Sequence, residues 1–86
     1  MQEVFNRYKN YLEAEKNASP YTVRNYTTDL LDFFQFLGTK KISPLNEVNR
    51  YVMRDYLAHL IGLGLVKTSI ARKLSAIRSF YRYLLR

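Results

Sequence analysis

Apolar residues recur every three or four positions along most of the chain, which is the spacing of helices that bury one face. This pattern predicts helices over residues 3–16, Pro20–Leu37, about 50–61 and Lys67–Arg86. The residues expected to face the core are Val4, Phe5, Tyr8, Tyr11 and Leu12; Val23, Tyr26, Leu30, Phe33, Phe34 and Leu37; Val52, Met53, Tyr56, Leu57 and Leu60; and Ile70, Leu74, Ile77, Tyr81 and Leu84.

Residues that start and end helices separate these segments. Ser19, followed by Pro20, is predicted to cap the second helix, and Asn49 to cap the third. Gly38 is expected to end the second helix in the left-handed conformation that glycine adopts at low cost. Gly62 and Gly64 are expected to end the third helix. In the connector, residues 38–48, the side chains expected to tuck against the core are Ile42, Leu45 and Val48.

Length and composition place the chain among small all-α domains. It has 86 residues, enough for a single domain over 1–86, and only three Gly and two Pro, which favours long uninterrupted helices. No strand pattern is present, and the unequal connections favour a four-to-five-helix orthogonal bundle. The chain has no Cys, no apolar run of about 20 residues and no signal-peptide pattern. We therefore expect a soluble, cytoplasmic protein.

The charge is basic and unevenly distributed. The net charge is +7, and residues 44–86 hold eight Lys or Arg against two Asp or Glu. Residues 1–43 are nearly balanced, with six against five. Basic charge gathered at one end is typical of proteins that bind polyanions, although it also serves solubility.

Residue patterns for catalysis or cofactor binding are missing. His59 is the only His, so an ordinary metal site is not expected. The nearest carboxylate pairs, Glu13/Glu15 and Asp29/Asp32, are predicted to be solvated charges on the outer faces of helices. No Gly-rich phosphate loop is present. Most Tyr residues fall on or beside the predicted core positions. We expect no cofactor, no metal and no small-molecule substrate.

Two helices carry polar faces that suit a DNA groove, because small residues let the backbone approach while long cations reach phosphates and base edges. In the last helix this face holds Thr68, Arg72, Ser75, Ser79, Arg82 and Arg86. In the second helix it holds Thr22, Asn25, Thr28 and Asp32, with Arg24 at its edge.

The same segments resemble the N-terminal core-binding domain of tyrosine recombinases, the phage-integrase and Xer-type family. The resemblance covers SPYTVRNYTTDLLDFFQFL (Ser19–Leu37), VNRYVMRDYLAHLIGLGL (Val48–Leu65) and KTSIARKLSAIRSFYRYLLR (Lys67–Arg86). Its most specific parts are S-x-x-T-x-x-x-Y at the start of the second helix and SIARKLSAIRSFY in the last.

The resemblance implies a SAM-like fold that forms one half of a clamp around duplex DNA, with the second and fourth helices at the major groove. A separate C-terminal domain would hold the catalytic residues, so the chain itself is not expected to be an enzyme. Carried over by position, the DNA-binding residues would be Thr22, Arg24, Asn25, Thr28, Lys67, Thr68, Ser69, Arg72, Lys73 and Ala76. Lys73 lies nearer the core edge and would reach phosphate with its long stem. Arg78, Arg82 and Arg86 are expected to steer phosphates or to lead into a linker.

The implied partners are a double-stranded recombination site and neighbouring recombinase protomers, with Phe36 as a candidate protomer contact. No membrane partner is expected, and the isolated domain is expected to be a monomer. The chain ends where the linker to a catalytic domain would begin, so we expect either an excised domain or a free-standing relative. The alternative hypothesis is a helical protein-interaction module whose basic face binds an acidic partner.

Overall fold

The computed structural model describes residues 1–86 as four α-helices without a β-strand, which confirms the all-α prediction. The helices are α1 (Gln2–Ala14), α2 (Pro20–Thr39), α3 (Arg50–Gly62) and α4 (Lys67–Leu85). The most extensive packing is between α2 and α4, while α1 packs on α2 and α3 packs on α4. The α2–α4 pair therefore forms the centre of the domain.

Two of the predicted helix starts are confirmed at the level of single hydrogen bonds. The Ser19 Oγ accepts a hydrogen bond from the Thr22 N–H at 3.1 Å, and Pro20 occupies the first helical turn. The Asn49 Oδ1 accepts from the N–H groups of Tyr51 and Val52, both at 3.0 Å. These bonds satisfy backbone donors that have no partner inside a helix.

The predicted end of α2 is wrong, because the helix continues through Gly38 to Thr39. The left-handed conformation falls instead on Lys41, with φ of 58°. The Lys41 N–H donates to the Gly38 carbonyl at 3.2 Å, and the Ile42 N–H donates to the Leu37 carbonyl at 3.0 Å. This pair of bonds requires a left-handed residue just after the helix, here Lys41.

The core is largely aromatic and forms where the helices meet. The Tyr8 and Phe80 rings lie edge to face with centroids 5.3 Å apart, and the Phe33 and Tyr56 rings do so at 4.9 Å. Such pairs add to the free energy of apolar burial. The buried apolar residues are Tyr8, Leu12, Val23, Leu30, Phe33, Phe36, Leu37, Tyr56, Leu60, Ala76, Ile77 and Phe80.

The buried face of α4 is rotated from the one that periodicity predicts. Ala76, Ile77 and Phe80 are buried, whereas Leu74 and Tyr81 are half-buried at its edge. Periodicity counts large apolar residues, and so it gives little weight to a small residue such as Ala76.

Phe36 is buried, with 8% of its surface exposed, so the prediction that it contacts a protomer is wrong. Its ring packs 5.0 Å from that of Tyr56 and 5.1 Å from that of His59. The reason is that the last turns of α2 lie against α3, so that Phe36 is covered by residues of that helix.

The connector between α2 and α3 is held by some of the expected anchors. Ile42 and Val48 pack on the core, but Leu45 is 53% exposed, against prediction. A further anchor comes from α4, where the Tyr81 hydroxyl donates to the Pro44 carbonyl at 2.6 Å.

Candidate nucleic-acid interface

The predicted residues of α2 occupy two parts of the surface. Arg24 and Thr28 are exposed on the outer face, and the Arg24 guanidinium lies 6.0 Å from the centre of the Tyr21 ring. Thr22 and Asn25 are half-buried, and Thr22 faces α4.

The predicted residues of α4 follow a gradient from exposed to buried. Lys67 and Thr68 are exposed, Ser69 is half-buried, and Lys73 is buried. Ala76 has no exposed surface and packs in the core, so it cannot touch a ligand at the surface. We therefore leave Ala76 out of the candidate interface.

Arg72 is held by a carboxylate of α2. Its Nε donates to the Asp29 Oδ2 at 2.8 Å and its Nη2 donates to Oδ1 at 3.1 Å. The hydrogen bond to Asp29 raises the pKa of Arg72 above its ordinary value. Asp29 is only 1% exposed, so the prediction of a solvated carboxylate at this position is wrong. A buried carboxylate needs charged or hydrogen-bonding partners, and α4 supplies them.

Lys73 belongs to the same cluster. Its Nζ donates to the Asp32 Oδ2 at 2.9 Å and to the Asp29 Oδ1 at 3.1 Å. Burial alone lowers the pKa of Lys73, but the hydrogen bonds to Asp32 and Asp29 outweigh this effect, and the pKa lies above its usual value. With its amine between two carboxylates, Lys73 does not offer a free cation to phosphate.

A cationic groove of about 480 Å³ lies where the end of α1 and the start of α2 meet the second half of α4. We call it the basic groove. No carboxylate lines it. Its cations are Lys16, Arg78, Arg82 and Arg86, and its hydroxyl groups come from Thr22, Ser75, Ser79 and the three tyrosines Tyr11, Tyr26 and Tyr83. The lining is thus positively charged, which favours the approach of anions.

The four cations of the basic groove differ in whether they are paired with other groups of the chain. Arg86 pairs with Glu15 at 3.0 Å and lies over the rings of Tyr11 and Tyr83, at 4.4 and 4.8 Å from their centres. The hydrogen bond to Glu15 raises the pKa of Arg86. Lys16, Arg78 and Arg82 make no ion pair within the chain.

Sequence reasoning gave Arg78 and Arg82 a minor role and missed Lys16. The spacing of Ser75, Ser79, Arg82 and Arg86 at three or four residues signals one shared helix face. Nothing in the sequence around Lys16, which follows α1, indicates that it lies beside this face, because their approach depends on the packing of the helices.

The start of α4 adds uncapped backbone donors to the surface. Val66 occupies the cap position, and no side chain accepts a hydrogen bond from the first turn. This agrees with the absence of a small polar residue there in the sequence. Free N–H groups and the positive end of the helix dipole favour anions, and Lys67 and Thr68 are exposed beside them.

No group of three or more His, Cys, Asp or Glu residues is placed to hold a metal ion. None of the four helices combines the length and the apolar character needed to cross a lipid bilayer.

Comparison with known proteins places the chain in a family. The family described as "Phage integrase, N-terminal SAM-like domain" matches residues 5–86. The tyrosine recombinase XerC of Oceanobacillus iheyensis is 45% identical over 74 residues, which cover 86% of this chain and 24% of the relative. The tyrosine recombinase XerD of Staphylococcus epidermidis is 35% identical over 86 residues, covering 100% of this chain and 29% of the relative. No solved structure gives a significant match.

The chain spans about a quarter of the length of these curated relatives, and the matched part is the N-terminal domain and not a catalytic domain. The family match covers nearly the whole chain and agrees with the all-α fold. The chain therefore belongs to the family of phage integrase N-terminal SAM-like domains.

Proposed function

We propose that this chain binds double-stranded DNA and that, within a tyrosine recombinase, it positions the duplex for strand exchange. The observation that carries the proposal is the basic groove, where three cations without an ion pair and several hydroxyl groups line one surface. The relatives named tyrosine recombinases support DNA as the polyanion.

The contacts expected at this surface are mainly to phosphate. Lys16, Arg78 and Arg82 supply charge, while the hydroxyl groups of Ser75 and Thr22 can donate to phosphate oxygens. Such binding releases counterions and weakens steeply with salt.

Beyond the basic groove, the proposed interface extends over exposed residues of α2 and the start of α4. Arg24 and Thr28 on α2 and Lys67 and Thr68 on α4 are the side chains free to reach the duplex. Few of these groups suit base edges, so we expect modest sequence preference. Neighbouring recombinase protomers are the expected protein partners on a shared recombination site.

The test compares two double variants that lose the same charge. Lys16→Gln/Arg82→Gln alters the basic groove, and Arg50→Gln/Arg54→Gln alters exposed residues of α3. Binding of a fluorescent duplex is measured by anisotropy between about 50 and 200 mM salt, and helical content by circular dichroism. We expect the first variant to bind more weakly and to reduce the salt slope by about one to two.

The control variant should retain most of the affinity and of the salt slope. Equal losses in both variants would show that only net charge matters. Binding that does not change with salt would favour the protein-interaction hypothesis over DNA.

A further inference from the structure

A second groove, with an apolar floor, runs between α3 and α4. Its floor is formed by Met53 and Leu57 of α3 and by Leu74 and Ile77 of α4, and no residue of α2 lines it. Met53, Leu57 and Leu74 are half-buried, although the pattern of the sequence predicts all four to face a core. The volume of the groove is about 550 Å³.

The rotation of α4 explains why this apolar surface is left open. The row of large apolar residues on α4 passes through Leu74 and Tyr81, but the face buried against α2 is centred on Ala76 and Phe80. The apolar residues left at the edge point toward the groove, where no other element covers them. Apolar surface gathered in a groove, unlike scattered apolar residues, is a mark of an interaction site.

The rim of the groove is cationic. Arg50, Arg54 and Arg78 line it, no carboxylate does, and none of the three makes an ion pair in the chain. The guanidinium groups of Arg50 and Arg54 lie 5.1 and 5.7 Å from the centre of the Tyr51 ring. We call this feature the arginine-rimmed groove.

The shape and chemistry fit a helix better than a duplex. From Arg50 to Leu57 the α3 side spans about 10 Å, enough for two turns of a docked helix with apolar residues on one face. A sugar–phosphate backbone would gain little from the side chains of Met53 and Leu57, because nucleic-acid interfaces are largely polar. Carboxylates beside the apolar residues would meet the three arginines.

We propose that the arginine-rimmed groove binds an acidic amphipathic helix of a partner protein, with apolar side chains in the groove and carboxylates at its rim. This site is separate from the basic groove, although Arg78 borders both. It therefore adds a protein-docking surface to the proposed DNA-binding function.

The probe is a synthetic helical peptide with Leu at positions i, i+4 and i+7 and Glu on both sides of this row. One control peptide carries Ala in place of Leu at the same charge, and another carries Gln in place of Glu. Binding to the 86-residue chain is measured by fluorescence anisotropy. We expect saturable binding of the probe. Each control peptide should bind with an affinity lower by about tenfold or more.

Variants of the chain locate the site. Arg54→Gln should weaken binding of the probe about threefold, while Arg24→Gln, which removes the same charge from α2, should not. Leu57→Ala should weaken it several-fold, while Leu31→Ala, at an exposed position of α2, should not. Lys16→Gln/Arg82→Gln should retain probe binding, whatever its effect on DNA.

Three outcomes would overturn the proposal. The first is the absence of saturable probe binding, and the second is equal binding of the Leu and Ala peptides, which would indicate attraction by charge alone. The third is equal weakening by Arg54→Gln and Arg24→Gln. None of these outcomes bears on duplex binding through the basic groove.

Discussion

Asp29 of α2 binds the guanidinium of Arg72 of α4 side-on, through hydrogen bonds of 2.8 and 3.1 Å to its two carboxylate oxygens. Asp29 is 1% exposed, and the side chain of Arg72 is 41% exposed. The positive charge of Arg72 is therefore largely offset within the protein. If an Arg72→Ala variant bound DNA more weakly, the loss of the ion pair between α2 and α4 would explain this as well as the loss of a contact between Arg72 and DNA.

We expect Asp29→Asn to lower the free energy of unfolding by about 3 kcal/mol, because the amide cannot balance the charges of Arg72 and the buried Lys73. Arg72→Ala should cost only about 1 kcal/mol, since Arg72 is partly solvated and Lys73 still pairs with Asp29. Urea unfolding at neutral pH measures both. Asp55→Asn, at an exposed position without an ion pair, is the control, and an equal effect there would contradict the structural role of Asp29.

A side-chain cap at the start of α4 should stabilise the domain. Val66 is 64% exposed and cannot accept a hydrogen bond from the first turn, so Val66→Ser adds an acceptor with little loss of apolar burial. We expect the free energy of unfolding to rise by about 1 kcal/mol. Val66→Ala controls for the loss of the valine side chain and should bring no gain. A serine variant no more stable than the alanine variant would contradict the assignment of the cap.

Stability at alkaline pH should depend on Tyr81. Burial raises the pKa of Tyr81 to about 12. An unfolded tyrosine has a pKa of about 10, so between about pH 10 and 12 the folded chain binds more protons than the unfolded chain. The free energy of unfolding should therefore decrease as pH rises through this range, while below about pH 10 Tyr81 contributes no pH dependence.

Tyr81→Phe should make this alkaline decrease shallower. It should also cost about 1 kcal/mol at neutral pH, because the hydrogen bond to the Pro44 carbonyl is lost. Urea unfolding at a series of pH values from about 8 to 11 compares the variant with the wild type. Tyr51→Phe, which removes a hydroxyl from an exposed ring, is the control. An unaltered slope in Tyr81→Phe would contradict the expected role of Tyr81.

The stability of the domain is expected to depend on the size of the side chain at position 76, where the chain has Ala76. Since it has no exposed surface, Ala76→Leu should overpack the core and lower the free energy of unfolding by about 2 kcal/mol. Ala71→Leu, at an exposed position on the same helix, should have little effect. The midpoint of thermal unfolding by circular dichroism compares the two. A stable Ala76→Leu variant would show that this part of α4 faces solvent.

The starts of the helices depend on local interactions whose residues can be recognised in the sequence. The hydroxyl of Ser19 and the amide of Asn49 act on backbone groups two or three residues away, and both predicted caps are confirmed. Gly38 misled the prediction because the residue that turns the chain after α2 is Lys41, whose left-handed conformation is uncommon for a lysine.

The candidate site was harder to predict, because its features join distant parts of the chain. Lys73 and Asp29 are 44 residues apart, and nothing in either local sequence marks them as partners. The same is true of Lys16 and Arg82, which both line the basic groove. Helical periodicity alone was enough to predict that exposed residues such as Arg24 and Thr68 face solvent.

The hydrogen bond from the Tyr8 hydroxyl to the Ser79 Oγ, at 2.8 Å, joins residues 71 positions apart. Helices form locally within about a microsecond, whereas closing so long a loop carries a larger entropic cost. On the ribosome α1 emerges before α4, yet Tyr8 cannot reach Ser79 and Phe80 until the second half of α4 has been made. The packing of α1 is therefore completed only after the last helix of the domain has been synthesised.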